Sequence, residues 1–366
     1  MRLLLLALSI IFSSVVYSAP PTPFSVSGTI FEDYNFGGSS RNFNSTLGMS
    51  GLSSTWVQLT NSKGTRDEET DLNGNFTFSN VARGSYTLST IGGHLYSARG
   101  DCDDCLPVQV YPAITTGFSR HIVVSNSNIY NANIGINYST VLNNNDSGAG
   151  SLRQFLINSR YLDGNSSKIE KEDLKQFDLP SGYDNAIFTL GSDKTIVLQS
   201  PLDMLYTEET SIDARDINLT LKNHRVAQNT DYGLKIHFSE ENFIQGLIFD
   251  GFDDSVYIND SSEISLDWNT FKNTRDSGIT IWGDSDENII TNNVFENNVN
   301  AEDVEYQAAA LFMNNSNDNK ITNNIFINVG DDHRSDGGYT FHVSAIRVYY
   351  GNGNLICRQS GLNRHF

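Results

Sequence analysis

Two polar stretches hold the side chains best suited to chemistry. They are Asn298 to Ala308 (NVNAEDVEYQA) and Val329 to Val343 (VGDDHRSDGGYTFHV). The first offers Glu302, Asp303, Glu305 and Tyr306. The second offers Asp331, Asp332, His333, Arg334 and Tyr339. Carboxylates held roughly 5–9.5 Å apart can act as acid and base on a glycosidic bond. The same set can hold a carbohydrate or Ca2+ without turnover. The plain alternative is a pair of solvated loops, acidic because loops are polar. Asp303, Asp331, Asp332, His333 and Arg334 are the ligand-binding candidates, and no residue is assigned a catalytic role. The sequence holds no Gly-rich phosphate loop, no GxSxG elbow and no HExxH, and its seven His are scattered.

The elements that must carry these stretches announce themselves as repeats. Asn288 to Asn298 reads NIITNNVFENN and Asn319 to Val329 reads NKITNNIFINV. An aliphatic residue (Ile290, Ile321) is followed by Asn (Asn292, Asn323), Phe (Phe295, Phe326) and Asn (Asn297, Asn328) at the same offsets. Leu266, Trp268, Phe271 and Asn273 keep these offsets, as do Ile244, Gly246, Phe249 and Gly251. A recurring extended motif predicts a solenoid of strands. Each repeat has a second apolar stretch, marked by Val256, Ile279, Leu311 and Ile346. Marker to next aliphatic (Leu266, Ile290, Ile321, Ile356) takes 10, 11, 10 and 10 residues; Phe to marker takes 7, 8, 16 and 20. The variation therefore lies at one corner of the coil, and both polar stretches sit there. They leave adjacent rungs, so their bases should lie about 4.8 Å apart, one strand spacing. Stacked Phe should fill the interior. Stacked Asn should pass amide hydrogen bonds along the coil and supply left-handed corners. Antiparallel hairpins in a sandwich are the competing reading.

Composition narrows the class. The chain has 366 residues and a formal charge of −19, which disfavours nucleic acid and anionic lipid as partners. The opening MRLLLLALSIIFSSVVYSAPP reads as a secretory signal peptide: Arg2 is the charged n-region and Leu3 to Val16 the apolar run, too short to span a bilayer. Cys102 and Cys105 in CDDC are read either as an adjacent disulfide or as two free thiols. Zinc would need a second pair, and only Cys357 remains.

Before the repeats, short alternating strands with turns at Asn73-Gly74 and Arg83-Gly84 predict a small β-sandwich, closed by a strand in Asn133 to Tyr138. The succession SGTIFED, WVQLTNSKG, TDLNGNFTFSNVARGSYTL resembles the immunoglobulin-like B-type repeat of serine-aspartate-repeat and collagen adhesins of bacterial surfaces. That resemblance implies a structural calcium loop. Asp33, Asn35 and Gly38 match its start, while Asn44 stands where its twelfth-position acid belongs. Further on, SLRQ has the form of a capping box, with Ser151 as N-cap and Gln154 at N3. Leu152, Phe155, Leu156 and Ser159 share one face of the helix it opens. NNNDSGAGSLRQ resembles a signature found just before right-handed β-helix domains of bacterial surface proteins. It implies architecture and an exported location. The β-helix pectate lyases and related epimerases use Asp, Arg and His on a coil face, and DDHR is loosely similar to that.

The resulting expectation is an all-β chain. Residues 1–18 are the signal peptide, 24–138 an Ig-like sandwich, 139–163 a linker and capping helix, and 164–366 a right-handed parallel β-helix. Asn352 to Ile356 opens one more rung, but CRQSGLNRHF lacks its Asn and Phe, so the natural coil is expected to continue. No cofactor is expected beyond that calcium, and no transmembrane segment. The expected function is structural or adhesive at the cell surface or in secretion, with a polysaccharide or surface glycan as partner. The alternative is a polysaccharide lyase, epimerase or hydrolase working at the inserted loops.

Overall fold

The computed structural model describes residues 23–32, 51–53, 55–91, 97–100, 119–137, 139–148, 150–162, 183–224, 232–298, 309–329, 334–336, 339–341 and 344–362. The leader, the Asp33 to Asn44 loop, Cys102 and Cys105 lie outside them. Among the described residues, no helix is long and apolar enough to cross a membrane.

Two four-stranded sheets make the first unit. Phe24–Glu32, Asn75–Val81, Ile134–Asn137 and Ser97–Gly100 form one; Trp56–Asn61, Gly64–Glu69, Gly84–Ile91 and Ser119–Val124 form the other. Alternation builds the core, since Phe76 and Phe78 are buried between exposed neighbours. They pack with Val26, Ile30, Val57, Leu59 and Leu88 from both sheets. The closing strand Ile134–Asn137 pairs parallel to the first.

The second unit is a coil of three parallel sheets. Sheet A stacks Thr140–Val141, Asp184–Phe188, Thr210–Asp213, Phe243–Gln245, Ser265–Asp267, Ile289–Thr291, Lys320–Thr322 and Leu355–Cys357. Sheet B stacks Thr195–Leu198, Thr220–Asn223, Ile248–Asp250, Thr270–Lys272, Val294–Glu296, Ile325–Ile327 and Ser360–Leu362. Sheet C stacks Tyr232–His237, Asp254–Asn259, Ser277–Trp282, Ala309–Asn314 and Ser344–Val348. Every pairing within these sheets is parallel, which rules out the hairpin alternative. The registers match the repeat: Leu266, Ile290, Ile321 and Ile356 are direct neighbours. So are Val256, Ile279, Leu311 and Ile346.

Like stacks on like inside. Phe249, Phe271, Phe295 and Phe326 lie ring over ring, with centroids 5.3, 5.0 and 4.8 Å apart. Room for them comes from small residues opening the strands of sheet C. A Cβ on Gly278 would lie 2.7 Å from Phe295 Cδ1, and one on Gly233 would lie 2.9 Å from Phe249 Cδ1. In the last rung Gly361 stands opposite Phe326.

The asparagines occupy two kinds of position. Asn273, Asn292, Asn297, Asn323 and Asn328 have φ between 50° and 58°, the left-handed corner backbone that Asn tolerates. The residues that follow at the A-to-B corner, Asn269, Asn293 and Asn324, are buried and form the ladder. Asn293 Nδ2 donates to Leu266 O at 2.8 Å, and its Oδ1 accepts from Asn269 N at 2.8 Å. Asn324 repeats this one rung on, to Ile290 O and from Asn293 N. Gln359 continues it in the last rung, accepting from Asn324 N and donating to Ile321 O. A parallel ladder before sheet A uses Asn288, Asn319 and Asn354.

The coil's first rungs are covered by helix α1 (Leu152–Leu162). Its buried face of Leu152, Phe155, Leu156 and Ser159 matches expectation, and the three apolar residues join the coil's core. Ser151 Oγ accepts from Gln154 N at 3.1 Å, as an N-cap should. The reciprocal half of the capping box is replaced. Gln154 Nε2 donates to Asn158 Oδ1 at 2.7 Å instead, because both side chains are buried one turn apart. Ser151 N donates to Gly148 O.

Candidate functional site

The corner between sheets B and C takes both insertions. The first leaves after Val294–Glu296 and returns at Ala309–Asn314; the second leaves after Ile325–Ile327 and returns at Ser344–Val348. Their bases sit on directly paired strands. Asp303, Asp331, Asp332 and His333 lie outside the described residues. Arg334 opens a short antiparallel hairpin, Arg334–Asp336 with Tyr339–Phe341, in which it pairs with Phe341. In the chain, that hairpin falls within the second insertion.

Beneath the insertions, the earlier rungs carry polar groups that the repeat pattern did not single out. Arg275 Nη1 lies 3.3 Å from Asp253 Oδ1, and Asp253 is buried. The backbone holds this pair in place: Arg275 N donates to Phe252 O and Asp276 N to Asp253 O, one rung below. One rung on, Asn298 Nδ2 donates to the buried Thr274 Oγ1 at 2.7 Å.

The outer face of sheet C starts at this corner. Strand alternation turns the residue after each inward marker outwards. Those positions are Lys235, Tyr257, Thr280, Phe312 and Arg347, all in register; Thr280 and Phe312 are nonetheless buried. The rings of Tyr232 and Tyr257 lie 5.1 Å apart, and Lys235 Nζ sits 5.8 and 5.3 Å from their centroids. Asp254 accepts from Thr280 Oγ1 at 2.8 Å. Burial, then Tyr232 and the charges of Asp254 and Asp260, push the Tyr257 hydroxyl up to about 12. Tyr257 therefore stays a neutral hydrogen-bonding phenol at any physiological pH.

The far edge of the same face is also aromatic. The ring centroids of His237 and Phe238 are 3.9 Å apart, and Tyr206 is 6.2 Å from His237. His237 Nδ1 lies 3.0 Å from Asn259 Nδ2, which also donates to Asp260 Oδ2. Phe238 is 67% exposed although its φ is 50°, an uncommon backbone for a bulky residue. Trp282 lies 6.0 Å from Phe312.

Flat apolar rings flanked by carboxylate, hydroxyl and amide groups suit a sugar, whose ring faces are apolar and whose edges are polar. Among the described residues, no group of three or more His, Cys, Asp or Glu could hold a metal ion.

The family model for the right handed beta helix region matches residues 181–326 and, overlapping, 211–360. With the three stacked sheets, this identifies the second unit as a right-handed parallel β-helix. No curated protein matches the chain.

Proposed function

We propose that this is an exported protein, secreted or held at the cell surface, with a structural and adhesive role. Its β-helix displays the outer face of sheet C and the adjoining insertion corner to polysaccharide or surface glycan. The observation that carries this reading is the Tyr232–Tyr257 pair with Lys235 across both rings. Tyr232 and Tyr257 are only partly buried, and aromatic rings left partly open to water beside a cation fit a partner. The immunoglobulin-like resemblance of the first unit and the signal-peptide pattern support export.

A second reading, a polysaccharide lyase, epimerase or hydrolase, draws on the Asp253–Arg275 pair at the base of the insertions. One experiment addresses both. The protein is applied to an array of neutral and uronic glycans, and every bound glycan is incubated and checked for product. Retention without product is the expected result. Product formation that disappears in an Asp331→Ala/Asp332→Ala/His333→Ala variant would replace the adhesive reading with the enzymatic one.

A further inference from the structure

A separate cluster occupies the corner where sheet A turns into sheet B. The corner column there has positive φ throughout: Gly246 (73°), Trp268 (54°), Asn292 (53°), Asn323 (58°) and Arg358 (53°). Gly and Asn take this backbone readily, whereas an indole gains nothing from it. Trp268 is also 60% exposed, so core packing does not account for it.

Beside Trp268, sheet A stacks Asp213, Gln245 and Asp267 in register. Asp213 and Gln245 are buried. Arg215 donates to Asp213 from Nε and Nη2, the latter at 2.7 Å. Those bonds, and then the charges of Asp213, Asp267 and Asp216, raise its pKa against the opposing effect of burial. Asp267 Oδ1 accepts from Asn292 Nδ2 at 2.8 Å. Gln245 Nε2 donates to Asp213 Oδ2 at 2.7 Å, but its buried Oε1 has no hydrogen-bond partner. Asp213 thus pairs with the Arg215 guanidinium, and Asp267 and Asp216 add negative charge around it. The cluster is short of positive charge, and Gln245, in register between Asp213 and Asp267, keeps one buried acceptor unanswered.

We propose that this corner binds a protonated amino sugar, with its ring against Trp268 and its ammonium group at Asp267 and Asp216. An ammonium group supplies the missing charge and is attracted to an indole face. The sugar hydroxyls can donate to the carboxylates of Asp267 and Asp216, neither of which is buried. The chain's formal charge of −19 draws such a cationic glycan in. None of these residues belongs to the sheet C face, so the two sites stand or fall separately.

The test is calorimetric titration of the full chain with glucosamine oligomers, N-acetylglucosamine oligomers and lysine oligomers. Glucosamine oligomers should bind, with affinity falling as salt rises. The acetylated series, lacking the charge, should bind at least about tenfold more weakly, and so should lysine oligomers, lacking the ring. Trp268→Asn, which installs the residue of the next two rungs, should lose binding at least about tenfold with no fall in Tm. Tyr257→Ala should leave this binding unchanged. No binding, equal binding of the acetylated or lysine series, retained affinity in Trp268→Asn, or a fall in its Tm would overturn the proposal.

Discussion

Stacked asparagines were expected to turn the chain and to bond the rungs, and in the column Asn273, Asn297, Asn328 one residue does both: Asn297 Nδ2 donates to Asn273 Oδ1 and Asn328 Nδ2 to Asn297 Oδ1. At the A-to-B corner the two jobs fall to neighbouring residues. Asn292 supplies the left-handed backbone, and Asn293 supplies the buried amide. Asn293→Ala would leave the buried Asn269 N without its acceptor and take the amide donor away from Leu266 O, at on the order of 1–3 kcal/mol. Asn293→Asp should do no better, because its carboxylate would face Leu266 O. Asn292→Ala should cost about 1–2 kcal/mol for the backbone, plus the loss of its bond to the part-buried Asp267. Urea midpoints of the three variants check this order. At Gly278 the Phe stack leaves no room for a methyl group, so Gly278→Ala should destabilise by about 1–3 kcal/mol. Tyr257 gives a pH signature. Its folded pKa, about 12, lies above the ordinary 10.0. The folded state therefore keeps a proton that the unfolded state releases. That contribution is whole below pH 10 and is lost as pH rises towards 12. Tyr257→Phe should show a shallower loss of stability across that window when melting is followed against pH.

The strands were legible wherever burial repeats with the rung. Ile290, Ile321, Phe295 and Phe326 could be aligned because each must meet its own kind one rung away. The outward face of sheet C carries no such constraint: Lys235, Tyr257, Thr280, Phe312 and Arg347 share a column but no chemistry. They could have been found by reading one position past each marker, and Leu234 was not among the markers. The capping helix was legible in its buried face, whereas the role of the NDSGAGSLRQ signature emerged only from contacts. Arg153 Nη2 donates to Asp146 Oδ1 at 2.7 Å, and Nε donates to Asp146 O. Arg153 also donates to Pro201 O and Ser200 O across the first rungs. The signature is thus a pin that ties linker, helix and coil together. Arg153→Ala removes these bonds and the ion pair with Asp146, and should destabilise by roughly 2–4 kcal/mol. Thermal melting checks this, and Arg153→Lys should recover only part of the loss, since an ammonium cannot span the same fork.

At the scale of the molecule, stacked rungs confine variation to one corner and leave three outer faces for different uses. Stability runs from rung to rung through the Phe stack and the Asn ladders, as in other solenoids. The sheet C face adds partly exposed polar and aromatic groups, Tyr232, Lys235 and Tyr257 among them. The most direct test of their role is the calorimetric affinity of a Tyr232→Ala/Tyr257→Ala variant for the glycan that the wild-type chain retains best. Loss of at least about tenfold in affinity, with Tm close to wild type, is the predicted result. Unchanged affinity, or a wild-type chain that retains no glycan at all, would contradict the account.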